Sequence, residues 1–455
     1  MLRVCSIASV SLLVFLITRS PAAEPARFPL ADGDVWVMAG DSITAQHLHT
    51  NYFEAFCYAR YPKLKFAFRN AGVGGHTIPN TLSRFDSDIA AWKPTVVSVE
   101  LGMNDANTTP PDEFVKNMGT MVERIRKVGA RPVMFSASPV NDGTLLAKAT
   151  GRNLRLSEYA KSLKEFSEKE KLPYADQFHA LVDVWGKNKP RENMLATIAD
   201  LKLAASDDSL SGVEHLRAFL AAQEKAPAKG VNLAGDPVHP GPPGQLMMAA
   251  TLLKSLGAEG FVSSVSVDAE AGQVDAKGCL VTGLRTSATS VSFDRLDECL
   301  PFPIADDARP ALMIAPEVLE LSQYTVKITG LKVGEYQLRI GGVGCGRFNA
   351  KQLAEGINLT TIGSSNAKAK LDNPIVAQMR AILAAVAEKE AIVGKPGMMG
   401  TWRGVAQKAF GPKSDQKAKD TLATLTMKVE AADAKIREAA KPKTIHFDIV
   451  PIAGK

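Results

Sequence analysis

The chain has 455 residues, enough for two or three domains. Hydrophobic residues make up 45% and charged residues 22%, which excludes a wholly disordered chain and a multi-span membrane protein. The net charge of +6 is spread without a dense basic stripe, which argues against a nucleic-acid partner. In chain order, the first element reads as an export signal over residues 1–23. Arg3 gives a positive start, Val4 to Thr18 is apolar, and Ser20-Pro21-Ala22-Ala23 offers small residues for cleavage. The apolar run is too short for a spanning helix, so no stable membrane insertion is expected after cleavage. The mature protein is then periplasmic or secreted. Cys57, Cys279, Cys299 and Cys345 remain. Export permits disulfides, and a bridge in the C-terminal half is compatible with three of the four lying there. Their spacing is not that of a structural zinc site.

From residue 24 to 258, short apolar runs alternate with helical ones. Strands are expected at Val35–Ala39, Phe66–Asn70, Thr95–Leu101, Pro132–Ser136 and Leu172–Ala175. Helices are expected at Ala45–Tyr58, Asn80–Ala91, Asp112–Val128, Leu154–Lys169 and Gly241–Leu256. That alternation means a three-layer α/β/α domain, a doubly wound parallel sheet with helices on both faces. Residues 184–231 break the alternation and read as a helical insertion beside the site. Ligands of such sheets bind at the carboxyl ends of the strands.

After residue 259 the character changes. Val262–Phe293 is rich in β-branched residues and turns. Tyr324–Ile328 and Tyr336–Ile340 alternate and read as a hairpin. Between about 371 and 440 two helices are expected. The first is capped by Asn373, started by Pro374 and stopped at Gly394, and the second carries Leu422, Leu425, Val429, Ala432 and Ile436. Thr444–Pro451 returns as a strand. Residues 259–455 thus read as a β-sandwich-like region with a helical hairpin inserted before its final strand.

Four segments carry chemistry. Gly40-Asp41-Ser42-Ile43-Thr44 follows the first strand and opens a helix, placing a serine where free N–H groups face a developing negative charge. Thr44 stands where the second glycine of a Gly-x-Ser-x-Gly elbow belongs. Asn70 to His76 follows the second strand, and its glycines let the backbone approach a ligand. Gly102-Met103-Asn104-Asp105 follows the third, with an amide able to donate to an oxyanion. Asp236-Pro237-Val238-His239 precedes the last helix, and its tight turn can bring the carboxylate to the imidazole. Read alone, each has a plainer explanation as a helix cap, a surface turn or an Asx turn. Asp105 and Asp176 read as loop-pinning carboxylates, Cys57 as helix core, and Gly341–Gly346 as a turn or bulge. His47, His49 and His179 read as surface or cap residues, the first two within reach of the cleft rim.

Together the four segments resemble the blocks of the SGNH hydrolases, the GDSL esterase/lipase superfamily. The resemblance covers roughly residues 33 to 257, with Ile43 in place of the family's leucine. It implies a flavodoxin-like fold and a serine ester hydrolase working through an acyl-enzyme, with no metal or organic cofactor. In that reading Ser42 attacks, His239 moves the proton and Asp236 orients His239. The amides of Ser42 and Gly75 and the side chain of Asn104 form the oxyanion hole, while Asp41 and His76 contact substrate. The implied substrate is a small-molecule or polysaccharide ester, with acetyl or another short acyl group favoured. A lipase, a thioesterase or a non-catalytic glycan-binding protein on the same scaffold are the alternatives. Oligomeric state is not legible.

Overall fold

The computed structural model describes residues 28–141, 151–187, 198, 201–209, 212–224, 232–363, 372–394, 398, 400–412 and 414–452. The proposed export signal and part of the expected insertion at 184–231 lie outside these residues. Five strands, β1 (Asp34–Gly40), β2 (Phe66–Gly72), β3 (Val96–Glu100), β4 (Arg131–Phe135) and β5 (Tyr174–Ala175), form one parallel sheet in the order β2-β1-β3-β4-β5. The chain order reverses between β1 and β3, so a crevice opens beyond their carboxyl ends. Strand period decides the layers. Trp36 and Met38 of β1 join the core under helices His49–Arg60 and Pro242–Ser255, whereas Val37 and Ala39 face helix Pro111–Lys127.

Two expected helices are broken in the structure. The stretch Ala45–Tyr58 is split into Ser42–Ala45 and His49–Arg60, because His47 adopts a left-handed φ of 59° between them. Asn80–Ala91 is divided into Ile78–Ser83, Phe85–Asp88 and a 3-10 turn at Ala90–Trp92. Helix Gln177–Lys187 follows β5, and a further helix spans Val213–Glu224.

The C-terminal half carries two more sheets. One contains β6 (Phe261–Asp268), β7 (Gln273–Lys277), β10 (Gln323–Thr329) and β13 (Ile357–Asn358), in the order β13-β10-β6-β7. The other contains β8 (Cys279–Ser287), β9 (Ser290–Asp297), β11 (Glu335–Ile340), β12 (Val343–Asn349) and β14 (Ile445–Pro451), in the order β12-β11-β14-β9-β8. Val265, Val326 and Ile328 of the first sheet share one core with Phe293, Leu338 and Phe447 of the second, which makes a sandwich. The expected hairpin between Tyr324–Ile328 and Tyr336–Ile340 is therefore corrected. β10 pairs with β6 in parallel, while β11 pairs with β12 and β14 in the opposite sheet. Both strands alternate cleanly, but alternation sets which face is buried, not which neighbour is chosen. The Gly341–Gly342 segment forms the β11–β12 turn with φ of 58° and 80°. The four cysteines among the described residues are free thiols, and no bridge joins the three of the C-terminal half.

Helix Pro374–Val393 starts at Asn373, whose side chain accepts from the Ile375 amide, and stops at Gly394. Leu371 lies outside the described residues. Helix Pro374–Val393 packs against helix Gln416–Ala439, and a short helix absent from the sequence reading, Trp402–Ala409, lies between them in the chain and packs mainly on the second. These three helices do not pack only on themselves. They lie along β2, the edge strand of the parallel sheet, and every residue of β2 is buried. An open edge presents unpaired carbonyls. Here Arg437 donates to Phe66 O at 2.5 Å, Lys389 to Phe68 O at 2.9 Å and Arg403 to Gly72 O at 2.8 Å. Each cation comes from a different helix. Buried ion pairs accompany them: Lys389 with Glu54 at 2.8 Å and Glu390, and Arg69 with Asp433 at 2.6 Å. Burial raises the Glu54 carboxyl to about 8, whereas Glu390, which burial alone would also raise, is held down at about 2 by Lys389 and His47.

Candidate active site

Ser42 is the first residue of its helix, immediately after β1 and the capping residue Asp41. Its N–H therefore has no acceptor within that helix. Some 197 residues later, the turn Gly235–Pro240 brings His239 back to it, with Nε2 2.7 Å from Ser42 Oγ. His239 Nδ1 lies 2.9 Å from Asp236 Oδ2. A carboxylate only accepts, so Nδ1 carries the proton and Nε2 accepts from the serine hydroxyl. The Asp236 carboxyl is held below its ordinary range by the His239 side chain and by the amides of His239 and Val238. Those amides reach Asp236 Oδ1 at 2.9 and 2.8 Å, so the carboxylate is oriented by its own turn.

The glycine loop stands beside them. Asn70 pins its start: Oδ1 accepts from the Gly72 amide at 2.9 Å and Nδ2 donates to Thr44 O at 2.7 Å. A Cβ on Gly72 would sit 2.5 Å from the Ala45 nitrogen, so only glycine fits there. Gly75 has a φ of 75°, and among the described residues its amide has no acceptor. Asn104 Nδ2 donates to His76 O at 3.1 Å and keeps its second hydrogen. Arg84 Nε donates to His76 Nδ1 at 3.1 Å, leaving His76 with an Nε2–H donor. Burial, then Arg84 and Arg403, lower the His76 pKa and favour its neutral form. Asp105 Oδ1 accepts from the Ile78 amide at 3.1 Å, pinning the loop as expected.

The expectation that Asp41 contacts substrate is corrected. Its side chain is 3% exposed and turned inward, accepting from the Ile43 amide at 3.0 Å. Burial and then the nearby Glu100 push its carboxyl up to about 7. His49 is likewise not at the rim. It is buried, with Nε2 2.8 Å from Glu100 and Nδ1 3.0 Å from Gln245 Oε1. Burial would lower its pKa, but Glu100 and Gln245 outweigh burial and raise it. Gln245 Nε2 donates to Pro240 O at 2.9 Å, so this buried group ties the floor beneath Ser42 to the turn that carries His239. Gln177 completes it, donating to Glu100 Oε1 at 2.6 Å. Glu100 and Gln245 were missed in the sequence, although a lone carboxylate ending the run Val96–Val99 and a lone amide in an apolar helix were visible signals. His47 faces Glu390 of the C-terminal half at 3.2 Å, and His179 pairs with Asp176 at 2.7 Å.

The raised Asp41 carboxyl has a measurable consequence. Between its ordinary value of 3.8 and about 7, the folded state binds more protons than the unfolded state. Stability contributed by this group therefore falls as pH rises across that window. Asp41→Asn keeps the acceptor oxygen and removes the titration. Its melting temperature, followed from pH 4 to pH 8, is expected to decline less steeply than that of the wild type. Parallel curves would show that Asp41 titrates normally.

Residues 38–246 match the GDSL-like lipase/acylhydrolase family. The match places a GDSL-like lipase/acylhydrolase domain at residues 38–246, a little under half of the chain. Over 106 residues the chain is 30% identical to the uncharacterized lipoprotein YqeF of Bacillus subtilis (strain 168), an alignment covering 19% of this chain and 44% of that protein. Over 95 residues it is 26% identical to the acetylxylan esterase of Geobacillus stearothermophilus, covering 21% of this chain and 43% of that protein. The matches thus span less than half the length of both curated relatives. A solved structure described as a gut microbial diltiazem-metabolizing enzyme shares the fold over 94% of this chain and 99% of its own, with a TM-score of 0.69 at 22% identity. That likeness extends beyond the GDSL domain into the C-terminal half. Among the described residues, no cluster of three or more histidine, cysteine or carboxylate side chains is placed to hold a metal, and no helix is long and apolar enough to cross a membrane.

Proposed function

We propose that the protein is an exported serine carboxylic ester hydrolase that removes acetyl or other short acyl groups from small-molecule or carbohydrate esters. The observation that carries the reading is the hydrogen-bonded string Ser42–His239–Asp236 at the carboxyl end of β1. In this reading Ser42 Oγ attacks the ester carbonyl while His239 Nε2 takes its proton. The Ser42–carbonyl bond forms, and negative charge gathers on the carbonyl oxygen. The Ser42 and Gly75 amides and Asn104 Nδ2 receive that oxygen, donors of a kind worth roughly 3–4 kcal/mol each. His239 returns the proton to the departing alcohol. Water, deprotonated by His239, then releases the acid and restores the serine. His76, with its Nε2–H donor beside the loop, contacts substrate. Residues 1–23 serve as the leader, 24–258 as the catalytic part and 259–455 as the part that completes its fold.

Short acyl groups are supported by the acetylxylan esterase among the relatives. The test is hydrolysis of p-nitrophenyl acetate, butyrate and octanoate by the full chain without its leader. Rates are expected to fall as the acyl chain lengthens. A rate that rises toward octanoate would favour a lipase, and silence on every ester from a folded protein would remove the hydrolase reading.

A further inference from the structure

Arg403 lies 331 residues beyond Gly72, yet its buried guanidinium donates through Nη1 to Gly72 O at 2.8 Å. Its Nε is 3.4 Å from Asp88 Oδ2. The same carboxylate oxygen receives Arg84 Nη1 at 3.0 Å. Arg84 in turn donates through Nε to His76 Nδ1 at 3.1 Å and through Nη2 to Gly40 O at 3.5 Å. Two guanidiniums thus share one buried carboxylate. Between them they grip the entry of the glycine loop at Gly72, its exit at His76, and the end of β1 just before Asp41-Ser42.

The loop between those grips has little of its own to hold it. Val73 N donates to Gly40 O at 3.1 Å and His76 N to Val73 O at 3.3 Å. Gly74 and Gly75 are exposed and carry no side chain to wedge them in place. The direction of the Gly75 amide therefore depends on where the two ends are fixed. Arg403 is itself firmly seated. Trp402 beside it stacks on Trp92 with ring centres 3.4 Å apart and donates through its indole N–H to Thr426 Oγ1 at 2.8 Å. Thr401 caps the same helix by accepting from the Gly404 amide.

We propose that Arg403 is a positioning residue for the oxyanion donors. Through Gly72 O and the Asp88–Arg84–His76 string, the C-terminal half sets where the Gly75 amide points. This inference rests on the ester hydrolase reading and deepens it. Donors aimed at a developing oxyanion act in the transition state more than in the bound ester, so their displacement lowers kcat rather than raising KM. A shift of about 1 Å at such a donor costs on the order of 100-fold.

The experiment compares Arg403→Gln and Arg403→Lys with the full wild-type chain on p-nitrophenyl acetate. Melting temperature is recorded for each protein. A short alkyl boronic acid is titrated in parallel, because its adduct on Ser42 places a hydroxyl in the oxyanion hole. For Arg403→Gln, kcat is expected to fall by about 30- to 100-fold while KM stays within about threefold. Boronate affinity should fall in step with kcat. Arg403→Lys, which keeps the charge beside Asp88 but cannot serve both partners, should recover part of the loss. A folded Arg403→Gln with wild-type kcat, or with its loss confined to KM, overturns the proposal. So does unfolding of both variants, which would make Arg403 a residue that holds the fold alone. Failure of the hydrolase reading appears separately, as a wild-type protein that is inactive or as Ser42→Ala that is as active as wild type.

Discussion

Replacing Ser42 with alanine is expected to lower kcat on an acetyl ester by roughly 10⁴- to 10⁶-fold, and adding His239→Ala to that variant is expected to cost almost nothing more. The reason lies in how the three side chains depend on each other. In the proposed mechanism His239 serves as the base because Ser42 Oγ is 2.7 Å from Nε2, and it presents that nitrogen unprotonated because Asp236 accepts the hydrogen bond from Nδ1–H. With the hydroxyl gone, the imidazole has no proton to move on the acylation path. Residual turnover then comes from bound ester attacked by water beside the oxyanion donors. Asp236→Asn should fall between wild type and Ser42→Ala, since an amide can donate to Nδ1 and so favour the wrong tautomer. Single and double variants are compared at saturating p-nitrophenyl acetate, each checked for folding. A Ser42→Ala protein that kept more than about one per cent of wild-type kcat would remove the serine from the mechanism. A double variant slower than Ser42→Ala by a large factor would show that His239 acts independently of it.

Ending the chain after Gly257 is expected to yield a protein that does not fold. The cut removes all three helices from the β2 edge. The carbonyls of Phe66, Phe68 and Gly72 lose Arg437, Lys389 and Arg403, and Glu54, Arg69 and Asp88 lose their partners from those helices. Leaving one buried charge without its partner costs about 3–5 kcal/mol. Two or three such losses rival the whole stability of an ordinary domain, about 5–15 kcal/mol. Phe56 also loses its ring contact with Phe302, and Trp92 its stack on Trp402. Soluble yield, far-UV circular dichroism and esterase rate decide the matter. A soluble, active fragment would make the C-terminal half a detachable module.

The parallel sheet was legible because its strands are buried on both faces and spell apolar runs between helical stretches. Three of the four site segments were legible because each follows a strand end, where the fold puts ligands, and the fourth because its tight turn pairs a carboxylate with a histidine just before the last helix of the domain. What could not be read was contact between distant parts. Nothing in the local pattern around Arg403 says that it reaches Gly72, since a buried arginine in a helix and a solvated one look alike in sequence. His49 reads as a surface or cap residue within reach of the rim for the same reason. Its burial depends on Glu100, Gln245 and Asp41 converging on it from three separate elements. The Tyr324–Ile340 hairpin failed differently. Each strand was correctly placed, but pairing is decided by the sandwich as a whole, and the neighbours in sequence went to opposite sheets.

The cover on the β2 edge also bears on how the chain reaches its native state. The bonds from Lys389, Arg403 and Arg437 close loops of 321, 331 and 371 residues. A ribosome releases β2 long before it releases any of those cations. During that interval the strand has its β1 neighbour on one side and an unprotected edge on the other, able to pair with the same strand of another molecule. Contacts this distant slow folding, since the ends of a long loop meet late. The last fifth of the chain therefore acts as a closing step in assembly, and refolding yield should depend on protein concentration more steeply than native stability would suggest.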